Sequence, residues 1–262
     1  MLLCMMLALP GCTTPAEQNK QFAQDNDLQR HLVRGEGFYH VVYFNQAALT
    51  SASNWHVYIE GDGRPWINHR FLATDPTAPK PLMLRLMSQD RYASIYIGRP
   101  CYEGTVTQAE CTPWVYSQGR YSNAVVKSMI KALDATISQH HVRSITLIGH
   151  SGGGTLVMLM APAFPEINKL MTISGNLDTD AWVKKHDYSP LSGSLNPANS
   201  PPLHRNIEQH HFLGKKDRNI PLSAVLAVLK NQPNAKVSIV ANCGHTDCWE
   251  KLLVKALYSQ VN

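Results

Sequence analysis

Apolar positions along the chain switch repeatedly between strand-like and helix-like spacing, and the switches lay out an alternating series of elements. Phe38 to Phe44 and Asn54 to Glu60 are dominated by aromatic and β-branched residues, which predicts two strands. Pro81 to Met87 reads as the start of a helix, with proline at a tolerated early position, and Ser94 to Gly98 as the next strand. From Asn123 to His140 apolar residues recur at Ala124, Val125, Ile130, Leu133 and Ile137, close to helical spacing. Val142 to Gly149 is a strand that runs into a helix over Thr155 to Ala161. Leu170 to Gly175, His210 to Gly214 and Ala235 to Ala241 predict three more strands, with helices over Leu222 to Leu229 and Trp249 to Val261. This alternation implies an α/β fold, a mostly parallel central sheet with helices on both faces, in which ligands meet the carboxyl ends of the strands.

The intervening segments set the expected organisation. Residues 13–35 are polar and read as an N-terminal linker with partial helix between Glu17 and Leu32, leaving one domain over residues 36–262. Tyr188 to Pro202, rich in Pro, Ser, Gly and Asn, is either a small cap over a site or a surface connection. Leu2 to Leu9 is apolar but too short to cross a bilayer, and it ends in Leu9-Pro10-Gly11-Cys12. That ending resembles the lipobox of bacterial lipoproteins. The resemblance implies that residues 1–12 are an export segment and that Cys12 is acylated. The domain would then be tethered in the bacterial cell envelope by a lipid anchor, with secretion as the alternative.

Composition narrows the partners. Hydrophobic residues at 44% and charged residues at 16% describe a folded body. The net charge of +5 has no focus beyond Lys184-Lys185 and Lys215-Lys216, and no aromatic-studded basic stripe accompanies it, which argues against nucleic acid. Besides Cys4 and Cys12, the cysteines are Cys101, Cys111, Cys243 and Cys248; four allow three pairings. Local bridges Cys101–Cys111 and Cys243–Cys248 are the economical choice. No Cys-x-x-Cys spacing suggests a zinc site, and no metal or organic cofactor is implied.

The chemistry centres on Gly149-His150-Ser151-Gly152-Gly153, set between strand and helix. Small neighbours let the two elements approach while the serine hydroxyl stays exposed at a sharp turn, and the Gly152 N–H opens the helix, free for an oxyanion. A serine is a weak nucleophile without a base, and the base needs a carboxylate to fix its tautomer. His245 directly follows the last predicted strand and Asp217 follows the strand before it; Asp178, also at a strand end, is an alternative acid. His150 reads as a packing or gating neighbour, while His210 and His211 read as structural, pointing to opposite faces of a strand.

From about Phe38 onward these motifs, with Gly214-Lys215-Lys216-Asp217 and Gly244-His245, resemble the α/β-hydrolase superfamily. The resemblance implies a Ser151–Asp217–His245 triad and an oxyanion hole formed by the backbone N–H groups of Asp62 and Gly152. Glu60-Gly61-Asp62-Gly63 stands at the position of the family's His-Gly-x-Gly loop, with Glu60 replacing histidine, and the Asp62 carboxylate must point away from a developing oxyanion. The implied activity is hydrolysis of a carboxylic ester through an acyl-enzyme. Peptidase, amidase or thioesterase chemistry on the same triad is the alternative, and so is a non-catalytic envelope binding protein on a hydrolase frame. The lack of a long apolar lid favours small soluble esters. A dinucleotide site is disfavoured because Gly61-Asp62-Gly63 lacks the third glycine.

Overall fold

A computed structural model describes residues 13–258 except positions 51 and 69, with side chains described to residue 254. The export segment and Cys12 lie outside the described residues.

The chain opens with helix α1 (Pro15–Asp25) and strand β1 (Gln29–Arg34), followed by β2 (Tyr39–Phe44) and β3 (Asn54–Ile59). A short hairpin, β4 (Trp66–Ile67) and β5 (Phe71–Leu72), precedes α2 (Leu82–Ser88) and β6 (Ala93–Ile97). Then come α3 (Pro113–Tyr116), α4 (Asn123–Ile137), β7 (Ser144–His150), α5 (Gly152–Met160), β8 (Ile167–Ile173) and α6 (Thr179–His186). The chain ends with β9 (Glu208–Gly214), α7 (Leu222–Leu229), β10 (Ala235–Val240) and α8 (Trp249–Tyr258).

Eight strands form one sheet in the order β1-β2-β6-β3-β7-β8-β9-β10. The pairs β1/β2 and β2/β6 are antiparallel, whereas β6/β3, β3/β7, β7/β8, β8/β9 and β9/β10 are parallel. The expected α/β architecture is therefore present. Six neighbouring strands end on one edge of the sheet, so the loops after β3, β6, β7, β9 and β10 meet there. The central strands are buried on both faces, as parallel strands covered by helices must be. Two apolar layers result, one around Val57, Ile95, Leu147 and Leu156, the other around Tyr58, Ile148, Met83 and Trp249.

Residues 13–35 are not a linker. Thr14 caps α1 through a capping box with Glu17, Ala23 is buried, and β1 pairs along its full length with β2. As the polar edge of the sheet, β1 has little apolar alternation to betray it. Segment 188–202 docks on residues 117–121 through Ser194 Oγ–H to the Gln118 carbonyl (2.6 Å) and Leu195 N–H to the Tyr121 carbonyl (3.0 Å). The bridges Cys101–Cys111 and Cys243–Cys248 both form as expected, with Cα separations of 5.5 and 5.4 Å.

Candidate active site

Ser151 follows β7 and is the residue before the first turn of α5. Its backbone is held at φ 52° and ψ −118°, a conformation that costs an L-residue about 1–3 kcal/mol and persists only where the surroundings enforce it. They do: the Ser151 N–H donates to the Ile173 carbonyl at 3.0 Å, and the Ser151 carbonyl accepts from Gly154 at 2.9 Å and from Asn176 at 3.0 Å. The flanking glycines are required by close approach. A Cβ on Gly149 would overlap the Gly153 carbonyl, and one on Gly153 would overlap the Ile59 carbonyl of the neighbouring strand.

His245, from the loop after β10, places Nε2 3.0 Å from Ser151 Oγ. Its Nδ1 lies 2.9 Å from Asp217 Oδ2, in the loop after β9. The other Asp217 oxygen accepts from the backbone N–H groups of Asn219 (2.8 Å) and Ile220 (3.0 Å), which orients the carboxylate. Burial pushes the Asp217 carboxyl up, but hydrogen bonding and charge from His245, with the Ile220 N–H, outweigh it and leave the group below its ordinary range. The His245 imidazole is lowered from its usual value chiefly by burial, with the neighbouring His150 acting the same way and Asp217 opposing. Asp178, the alternative acid, is placed elsewhere: it caps α6, accepting from the Ala181 N–H and from Asn196 Nδ2, both at 3.1 Å.

The loop after β3 completes the edge of the site. Asp62 packs directly over the start of α5, since a Cβ on Gly152 would overlap Asp62 Oδ1. Its carboxylate is held by Arg99 Nη1 (2.5 Å), Arg120 Nη1 (3.0 Å) and the Tyr121 hydroxyl (2.7 Å), and its carbonyl accepts from the Tyr102 hydroxyl (2.9 Å). Burial would raise the Asp62 carboxyl, yet the two guanidinium groups hold it well below the usual carboxylate range. Glu60, which stands where histidine was expected, ties the loop down by accepting from the Gly61 N–H (3.0 Å) and from the Met83 N–H in the first turn of α2 (2.8 Å). His150 donates from Nε2 to the His245 carbonyl at 2.9 Å, so it props the His245 loop. His211 is buried against Thr172, while His210 faces the other side toward Ser238, as the strand alternation implied.

Two features escaped the sequence reading. Arg99, Arg120 and Tyr121 converge on Asp62 from two loops; Arg99 alone stood directly after a strand, where the strand-end rule could have flagged it. Asn219 Nδ2 lies 3.1 Å from His245 Nε2, and its Oδ1 accepts from Trp182 Nε1 at 3.1 Å, which fixes which end of the amide faces the imidazole. Among the described residues there is no group of three or more His, Cys, Asp or Glu placed to hold a metal ion.

No protein-family model matches the chain, and no curated protein matches its sequence. Solved structures do match in shape. Est1E from Butyrivibrio proteoclasticus, in its complex with ferulic acid, is 14% identical with a TM-score of 0.62, covering 88% of this chain and 97% of its own. A putative lipase from Acinetobacter baumannii AYE is 13% identical with a TM-score of 0.62, over 95% and 96% of the two chains. Naproxen esterase from Bacillus subtilis is 11% identical with a TM-score of 0.58, over 97% and 100%. Together with the sheet order these similarities show that the chain adopts the α/β-hydrolase fold.

Proposed function

We propose that this chain is a serine hydrolase that cleaves carboxylic esters through an acyl-enzyme. The observation that carries the reading is the unbroken line from Ser151 Oγ through His245 to a buried Asp217, with contacts of 3.0 and 2.9 Å. The likeness to esterases and a lipase supports ester substrates as an analogy of fold, and an analogy of fold leaves the natural acyl group open.

In this mechanism Asp217 holds a proton on His245 Nδ1, leaving Nε2 as the acceptor that takes the Ser151 proton as Oγ attacks the ester carbonyl. The oxyanion is received by the amides of Asp62 and Gly152. Clamped between two arginines and a tyrosine, the Asp62 carboxylate is kept from acting as a free negative charge beside that oxygen. His245 then protonates the leaving alcohol, and water repeats the cycle in reverse roles. A fluorophosphonate probe is expected to label folded protein at Ser151, read as a mass increase on the peptide that contains it. Folded protein that resists the probe and turns over no ester in a panel of short and long acyl chains would overturn the proposal.

Asn219 refines this picture. An amide N–H aimed at Nε2 stabilises the neutral imidazole and opposes protonation there, in the same direction as burial and His150 and against Asp217 and Asp62. Because the working form of His245 is neutral, kcat/KM should fall as pH drops through its lowered pKa, placing the acid limb below about pH 6.5. Asn219→Ala removes the donor, so the imidazole should protonate more readily and the limb should move to higher pH. A pH–rate profile of the two proteins checks this; a limb unmoved, or moved downward, would show that the amide does not bear on the base.

A further inference from the structure

We propose that the β4–β5 hairpin is a docking surface for an anionic lipid bilayer. The hairpin follows the Asp62 loop, beginning only a few residues after it, and its strands pair Trp66 with Leu72 and Ile67 with Phe71. All four side chains are exposed, at 38, 39, 61 and 40% for Trp66, Ile67, Phe71 and Leu72. Directly opposed residues of an antiparallel pair share a face, so Trp66 and Leu72 present one apolar side and Ile67 and Phe71 the other. A protein partner lying against the hairpin would cover one side only. Insertion into the headgroup layer covers both, and tryptophan favours that depth.

Charge points the same way. From Gly63 to Thr74 the sequence carries Arg64 and Arg70 and no Asp or Glu. Both arginines are exposed, and the Arg70 guanidinium lies 5.7 Å from the centre of the Phe71 ring, so the cation and the apolar group sit together at the tip. Basic and aromatic side chains side by side suit a surface with anionic headgroups above an acyl layer. The hairpin's base is fastened by Arg64 N–H to the Pro76 carbonyl (2.8 Å), Ala73 N–H to the Pro65 carbonyl (2.9 Å) and the Tyr116 hydroxyl to the Ala73 carbonyl (3.0 Å). The described chain also starts beside it. The Ala16 N–H donates to Asp75 Oδ2 at 3.0 Å, and Asp75 is three residues beyond Leu72, within about 10 Å of extended chain.

Binding here does not depend on hydrolysis, so it is measured without substrate. The full chain carrying Cys12→Ser, which removes the candidate anchor, is sedimented with vesicles of phosphatidylcholine alone or with about one-quarter phosphatidylglycerol. Partition is expected to favour the anionic vesicles, to fall about tenfold in Trp66→Ser/Phe71→Ser, and to lose its preference for anionic lipid in Arg64→Gln/Arg70→Gln. Melting curves of the variants verify that they fold. Absence of sedimentation with either vesicle, or unchanged partition in the Trp66/Phe71 variant, overturns the proposal. So does a dimer in light scattering that the same double substitution dissociates, since the hairpin would then meet a second copy of the chain.

Discussion

Replacing Ser151 with alanine is expected to abolish fluorophosphonate labelling and to lower kcat by about 10⁴–10⁶, with KM little changed. The size of the effect follows from how much of the proposed chemistry passes through one atom. Among the described residues no other nucleophile lies at His245 Nε2, where the remaining hydrogen-bond contact is the Asn219 amide, a donor that cannot attack a carbonyl. The residual rate is what the two oxyanion amides and substrate binding supply without a nucleophile. The variant should melt within a degree or two of the parent, because the strained backbone at 151 is enforced by main-chain bonds that alanine keeps. Steady-state kinetics on the most responsive ester, with a melting curve alongside, make the measurement. Retention of more than about a tenth of the parent rate would require a different nucleophile, because removal of a true one costs orders of magnitude.

Asp62→Ala should be the most damaging substitution to the fold among the residues discussed. Arg99 and Arg120 expose only 2 and 6% of their side chains, and both are neutralised by this one carboxylate. Removing it leaves two buried cations facing each other without an anion, and uncompensated buried charge of that kind costs about 3–5 kcal/mol. In a chain of this length that corresponds to a melting temperature lower by roughly 10 °C. Activity should fall as well, because the loop bearing the residue 62 amide loses the clamp that places it against α5. The lowered Asp62 pKa gives the pH dependence its sign: the contribution is complete above the carboxylate's unfolded value near pH 4 and is lost as the pH falls below it. Thermal melts at pH 7 check the prediction, and a melting temperature within a degree of the parent would mean that the arginines find partners elsewhere.

Much of the central sheet could be read from the chain because parallel strands buried on both faces are written as apolar, β-branched runs. Val142 to Gly149 became β7 within a residue or two at each end, whereas Ala235 to Ala241, which became the half-exposed edge strand β10, was legible from its β-branched residues and not from burial. The clustering of Ser151, Asp217 and His245 has a related origin: in this topology the side chains proposed to react sit at strand ends, and strand ends can be found without knowing contacts. The misses share the opposite property. β1 is a polar edge strand, so composition alone made its segment look like a linker. The β4 and β5 strands are two residues each, shorter than any periodicity can register. Asp178 and Asp217 both follow a strand, and only the third dimension shows that one caps a helix and the other faces the imidazole. The Arg99–Arg120–Asp62 cluster joins three distant stretches, and although Asp62 and Arg99 each follow a strand, nothing local shows that Arg120 completes the set.

The two partners of the proposed proton transfer are suspended from unequal supports. Ser151 follows β7, flanked by paired strands on either side, while His245 follows β10, the last strand of the sheet, which has a neighbour on one side only. What a further strand would have contributed is supplied covalently and by two rings: the Cys243–Cys248 bridge closes the loop around His245, the Trp249 indole N–H grips the Gly244 and His245 carbonyls at 3.0 and 3.2 Å, and His150 holds the His245 carbonyl from the other element at 2.9 Å. A reductant that opened this small ring would therefore slacken His245 while leaving Ser151 seated, silencing the proposed chemistry long before the body of the molecule came apart.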